Sequence, residues 1–210
     1  YMALSKIQPA SMDLTANYAF TGTNSIPSAS SGTYEQKKLA TLTASSSSTL
    51  SFTSSIDSTY NIYKFRFIEI HPATDAAHFL VNFRDGGSDF DATKTTSFFQ
   101  AQHNEAGNDA SLGYNTSGDL AQSTSGANLD RFLGADNDQC LNGELFLFDP
   151  SSTTFVKHFI SRVAIAERND YSQQAFLAGY NNVTAAIDGV QFSMSSGNID
   201  SGTIEMYGIN

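Results

Sequence analysis

Short apolar runs that alternate with polar residues punctuate this chain from residue 49 to its end. In IYKFRFIEI (62–70), Tyr63, Phe65 and Phe67 share one face while Lys64 and Arg66 take the other. A period of two belongs to a strand with one face buried. HFLVNFR (78–84) repeats the pattern and ends at Gly86-Gly87, and TTSFFQAQH (95–103) and LNGELFLF (141–148) follow it. QQAFLAGY (173–180), AAIDGVQFSM (185–194) and GTIEMYGI (202–209) complete the set, with shorter strands expected over 32–42 and 49–56. FVKHFISRVAIAE (155–167) fits two templates. Phe155, Phe159 and Val163 recur at spacing four, as on a helix, but they also alternate, with Ile165, as on a strand. Its β-branched content and its strand neighbours favour the strand.

The breaks between runs are made of Gly, Asn, Asp and Ser, with His71-Pro72 and Asp149-Pro150 as further stops. Many short strands, such loops and no long helix predict an all-β fold: an antiparallel β-sandwich of jelly-roll or concanavalin-like type. At the C-terminus, 188–194 and 203–209 are expected to be two antiparallel strands of this sandwich, joined by a loop over 195–202. Val190, Phe192, Ile204 and Met206 should face the core and Tyr207 should point the other way. Ser195, Ser196, Asn198 and Asp200 then serve to turn the chain.

Two stretches depart from the pattern. Residues 1–48 are rich in Ser, Thr and Ala, and their apolar residues (Ile7, Leu14, Tyr18, Phe20, Ile26) are isolated. Such a segment cannot offset its own ordering entropy. The expected organisation is an extended N-terminal arm over 1–48, with 1–30 packing little on its own subunit, followed by a sandwich domain over 49–210. Residues 104–139 show little alternation. A loop this long within a compact domain is either functional or contains short strands that escape the pattern.

Composition narrows the function classes. The chain has 210 residues and a net charge of −10, with only 11 Lys and Arg, scattered along its length. Nucleic-acid binding needs a basic face, which they do not supply, and an anionic membrane surface is disfavoured for the same reason. No run of 18 apolar residues is present, so no membrane insertion is expected. Charged residues make up 15% of the chain against ~25% in an average domain. Its polarity therefore comes from Ser, Thr, Asn, Gln and Gly, a surface common on secreted and virion proteins. YMALSKIQPASMDL lacks the basic start and apolar stretch of an export leader, so Met2 is read as the native start and synthesis in the cytoplasm without a signal peptide is expected. The lone Cys140 forms no intrachain disulfide and no Cys-rich zinc site, and is expected to be a small buried apolar residue.

Chemistry-bearing clusters are sparse. His71, His78, His103 and His158 share no metal-ligand spacing. No Gly-x-Ser-x-Gly elbow, phosphate loop or dinucleotide fingerprint is present. The acidic loop RDGGSDFD (84–91) makes Asp85, Asp89 and Asp91 calcium candidates, although the spacing is not that of a twelve-residue EF-hand loop. Asp136 and Asp138 form a second acidic loop. Carboxylates from the two loops would suit a glycosidase if they stood roughly 5 to 9.5 Å apart. The absence of Trp weighs against a sugar site, although Tyr also stacks on sugars.

FSMSSGNIDSGTIEMYGIN (192–210) resembles a C-terminal signature of phage structural proteins, in which a strand, a Ser-Gly-Asn loop and a Gly-Thr-Ile-x-x-Tyr-Gly-Ile strand end a concanavalin-like or jelly-roll sandwich. SKIQPASMDLTANYAFTGT (5–23), YKFRFIEIHPATD (63–75), DPSSTTFVKHFI (149–160) and AGYNNVTAAIDGVQF (178–192) are similar to uncharacterised structural proteins of marine tailed phages. The resemblance implies a virion component, such as a fibre, tail-tip or capsid-surface protein, and transfers no catalytic residues. With it come the expectations of a homo-oligomer, a trimer by the usual symmetry of spikes, of contacts to other virion proteins, and of attachment to a host-surface glycan or protein. No enzyme activity and no cofactor are expected. The alternative is a glycan-binding or glycan-degrading sandwich.

Overall fold

The computed structural model describes residues 36–210. Their strands are β1 (Gln36–Thr43), β2 (Thr49–Phe52), β3 (Ile62–Pro72), β4 (Phe79–Arg84), β5 (Lys94–Asn104), β6 (Ala110–Tyr114), β7 (Ala127–Asn128), β8 (Leu141–Phe148), β9 (Lys157–Glu167), β10 (Tyr171–Asn181), β11 (Gly189–Met194) and β12 (Ile199–Ile209). The one helical element among them is a single 3-10 turn, Thr116–Gly118. An eight-stranded sheet runs β1-β12-β3-β8-β9-β10-β5-β6, and a four-stranded sheet runs β2-β11-β4-β7. Every pairing is antiparallel, so the chain folds as the antiparallel β-sandwich that its alternation predicts.

The pairings are nested. β5 pairs β6, β4 pairs β7 around them, and β3 pairs β8 around both. Farther out, β2 pairs β11 and β1 pairs β12. Successive pairs alternate between the large and the small sheet. This is a ribbon folded back on itself and wound across two layers, the winding of a jelly roll. The β9–β10 hairpin is inserted on the returning arm and widens the large sheet between β8 and β5.

Residues 155–167, which fit both helix and strand, form β9, alternating buried and exposed from Lys157 to Glu167. Two strands lie in the stretch without alternation. β6 is exposed along its whole length and β7 has two residues, so neither has a buried face to leave a period of two. Residues 36–48, grouped with the arm on composition, carry β1, which pairs β12 at the edge of the large sheet. The expectations for 1–30 lie outside the described residues.

The closing stretch turns a corner between the sheets. β11 lies in the small sheet between β2 and β4, and β12 lies in the large sheet between β1 and β3. The two strands therefore face each other across the core instead of forming a hairpin. Val190, Phe192, Ile204 and Met206 are all buried, and Tyr207 points outward, donating from its hydroxyl to Glu205. The connection is shorter than expected, because β12 already begins at Ile199 and passes two register shifts before Thr203. Asp200 belongs to this bulged start. The Ser195 hydroxyl accepts from His78 N, and Asn198 Nδ2 donates to Ser46 O at 2.9 Å. Gly197 at φ +68° and Gly202 at φ +117° occupy backbone space that a side chain disfavours, and a Cβ at Gly202 would press on the β3 backbone at Glu69 and Ile70.

Phe192 is the centre of the core. Its ring lies 5.5 and 5.2 Å from Phe65 and Phe67 of β3, 5.6 Å from Phe79 of β4 and 6.3 Å from Phe52 of β2. Three of these four pairs meet edge to face, a geometry that adds about 0.5–1.5 kcal/mol per pair beyond area burial. One ring from the small sheet thus contacts both layers. Phe192→Ala should destabilise the fold by about 3–5 kcal/mol, read as a lowered midpoint in denaturant unfolding. Asp200→Ala should change stability by about 1 kcal/mol or less, because its exposed carboxylate has only His71 nearby, at 3.6 Å.

Candidate functional site

The inner face of the large sheet extends past the small one. Phe83 of β4 packs on Phe159 of β9 at 4.8 Å, and β7 ends the small sheet after two residues. The inner face of β10, β5 and β6 is left to other cover. At one end, residues 115–123 continue the β5 edge where β6 stops, with Asn115 N, Leu120 O and Ser123 bonded to Phe98, Thr96 and Lys94. At the other end, inward positions change from apolar to polar. Ala175 and Leu177 give way to Gln173 on β10, and Phe98 gives way to Gln100 and Gln102 on β5. Register sets Gln173 opposite Gln102.

These amides floor a cleft of about 400 Å³, walled by Ser111 of β6, by Glu167, Arg168, Asn169 and Tyr171 at the β9–β10 turn, and by Arg131 and Phe132. Gln102 Oε1 accepts from both Gln100 Nε2 (3.2 Å) and Gln173 Nε2 (3.1 Å). The carbonyl oxygens of Gln100 and Gln173 are buried and receive no hydrogen bond within the protein. Buried polar atoms are ordinarily satisfied, so each unpaired one needs an explanation. Tyr171 donates its hydroxyl to Asp109 at 2.6 Å, and that carboxylate holds the phenol above its usual pKa.

The roof is Leu129–Gly134, from the stretch that showed no alternation. Leu129 and Leu133 are buried in the core, and Asp130 pins the segment to β4. Its carboxylate accepts from Phe79 N at 2.5 Å and Leu133 N at 3.0 Å. The two amides favour the ionised form, but complete burial outweighs them and pushes the carboxyl up to about 7. Burial holds His78 below its usual pKa, and Arg131 adds to that, so its Nδ1 accepts from Phe132 N at 3.4 Å as a neutral imidazole. Phe132 itself sits at φ +63°, strained for an aromatic residue, by about 1–3 kcal/mol. Arg168 N bonds back to Phe132 O, and the guanidiniums of Arg131 and Arg168 each lie 4.9 Å from the Phe132 ring.

The residues singled out in the sequence lie elsewhere. Asp85, Asp89 and Asp91 belong to the β4–β5 connection, and no group of three or more carboxylate, His or Cys side chains among the described residues is arranged to hold a metal ion. Asp89 accepts from Ser88 Oγ. Asp91 and Asp85 act instead on the charges of two buried lysines. Burial lowers Lys94 to about 8, with Asp91 opposing, and lowers Lys157, with Asp85 and Asp149 opposing. Lys94 Nζ donates to Ser125 O at 2.8 Å, and Lys157 Nζ donates to Val183 O at 2.7 Å. Asp136 and Asp138 precede Gln139, which bonds to Glu167 O at the far end of β9. The two acidic loops thus stand at opposite ends of an 11-residue strand, roughly 30 Å at ~3.3 Å per residue. Their carboxylates cannot flank one glycosidic bond.

The histidines are dispersed. His71 faces Asp136 O and Asp200, His78 holds the roof, and His103 and His158 are exposed on β5 and β9. Cys140 is half-buried rather than buried, and accepts from Asn142 Nδ2. The cleft residues carry no sequence signature, because Gln, Arg and Ser form no motif. The one available signal was the replacement of apolar by Gln at inward positions of 95–103 and 173–180.

Fold and cleft define an antiparallel sandwich with a polar concavity at one end of its wider sheet. No family model, curated protein or solved structure matches the chain.

Ionisation of Asp130 gives the roof a pH signature. The folded carboxyl keeps its proton up to about 7, whereas the unfolded one ionises near its ordinary value of 3.8. Between these values the folded state binds the extra proton, so Asp130 adds stability as pH falls. The stability difference between wild type and Asp130→Asn should widen from pH 7 toward pH 4, measured by denaturant unfolding at each pH.

Proposed function

We propose that this chain is a non-enzymatic attachment module of a tailed-phage virion, and that it binds a host-surface glycan in the cleft between the β9–β10 turn and the Leu129–Gly134 roof. One observation carries the binding reading: two buried amide oxygens, on Gln100 and Gln173, are left without donors at the floor of a cleft. Sugar hydroxyls are the donors that such acceptors fit, and Tyr171 on the wall offers an apolar face to a pyranose ring. The virion reading is supported by the resemblance of residues 192–210 to a C-terminal stretch of phage structural proteins and by a Ser/Thr-rich, acidic composition. A homotrimer belongs to the same reading. A binding role is preferred to glycan cleavage because the carboxylates of the two acidic loops lie far apart.

Gln173→Leu tests the proposal. It removes an unpaired buried carbonyl together with one of the two hydrogen bonds that Gln102 Oε1 accepts, and keeps the volume, so stability should stay within about 1 kcal/mol of wild type. Binding on an array of bacterial surface glycans should be lost. Retained glycan binding in this variant, or no glycan bound by the wild type, would refute the cleft as a sugar site.

A further inference from the structure

Building on the glycan reading of the cleft, we infer that its ligand is acidic: a sugar carrying a carboxylate or sulfate, held by Arg131 and Arg168, whose guanidiniums each lie 4.9 Å from the Phe132 ring. The protein as a whole carries a net charge of −10, yet the cleft wall presents two guanidiniums. Arg131 makes no ion pair among the described residues; the pairs there are formed by Lys38, Lys64, Arg66, His71, Arg84, Arg162 and Arg168. Arg168 has only a 3.7 Å contact with its sequence neighbour Glu167. Glu167 is already engaged, accepting from Asn169 N at 2.8 Å and Asn169 Nδ2 at 3.1 Å.

The strained backbone at Phe132 and its bonds to His78 and Arg168 fix the ring where both cations meet it. A guanidinium matches the paired oxygens of carboxylate or sulfate better than an ammonium does. The anionic group would sit at the Arg131–Arg168 end, and the hydroxyls of the same sugar would donate to Gln100 and Gln173 Oε1 on the floor.

Titration calorimetry on the full chain separates the alternatives with four probes: an oligogalacturonate, a sulfated galactan oligomer, a neutral maltooligosaccharide and inorganic sulfate. At low salt, one acidic oligosaccharide should bind at least ~10-fold more tightly than the neutral one, and the advantage should shrink with added salt. Which acidic probe binds distinguishes a uronate from a sulfate ester. Arg131→Gln should remove that advantage at an unchanged melting temperature, Arg131→Lys should restore part of it, and Gln173→Leu should abolish sugar binding altogether. Equal affinity for neutral and acidic sugars, indifferent to Arg131→Gln, overturns the inference and leaves the glycan reading standing. Inorganic sulfate binding as tightly as the sulfated oligomer reduces the site to an anion site and overturns both. No binding by any probe also overturns both.

Discussion

Two stacked sheets bury only the area they share, and here a four-stranded layer lies under an eight-stranded one. Phe192 and its ring partners hold the two layers together where they overlap. Beyond that overlap the wide sheet still presents an inner face that must be covered, satisfied by other polar groups or left open. All three solutions occur. Residues 115–125 extend the β5 edge and accept from the Lys94 ammonium. Leu129–Gly134 forms a roof, and the amide-floored cleft is the part left open.

The roof explains why a carboxylate is buried next to a core built largely from Phe and Leu. The segment has no regular pairing where it meets β4, and Asp130 accepts from one amide of each, Phe79 N of β4 and Leu133 N of the segment. The same anchoring allows Phe132 to be held in a conformation that a free loop would leave. Strain, a buried acid and unpaired amide oxygens therefore gather at one end of the sheet.

The outer face of the large sheet follows a different logic. Across the strands, Tyr114, Phe99 and Phe176 stand in register, followed by Arg162, Glu144, Arg66 and Glu205 in alternating sign. Phe99 and Phe176 stack at 4.7 Å, and Glu144 and Glu205 each bridge two cations. Such exposed pairs contribute little individually, but opposite charges on neighbouring strands favour this register over a slipped one.

Alternation in the sequence carried most of the fold. A strand buried on one face must repeat every two residues, so β3, β4, β5, β8, β9, β10, β11 and β12 were legible, as were the inward positions of Tyr63, Phe65, Phe67, Val190, Phe192, Ile204 and Met206. What alternation cannot carry is which strand pairs with which, because a buried face looks the same whichever neighbour it has. The tertiary structure alone placed β11 and β12 in opposite sheets, inserted the β9–β10 hairpin and carried the two acidic loops to opposite ends of β9. It also assembled the cleft. Gln100, Gln173, Arg131 and Arg168 come from separate segments, each unremarkable alone, and their chemistry exists only where the wide sheet outruns the narrow one.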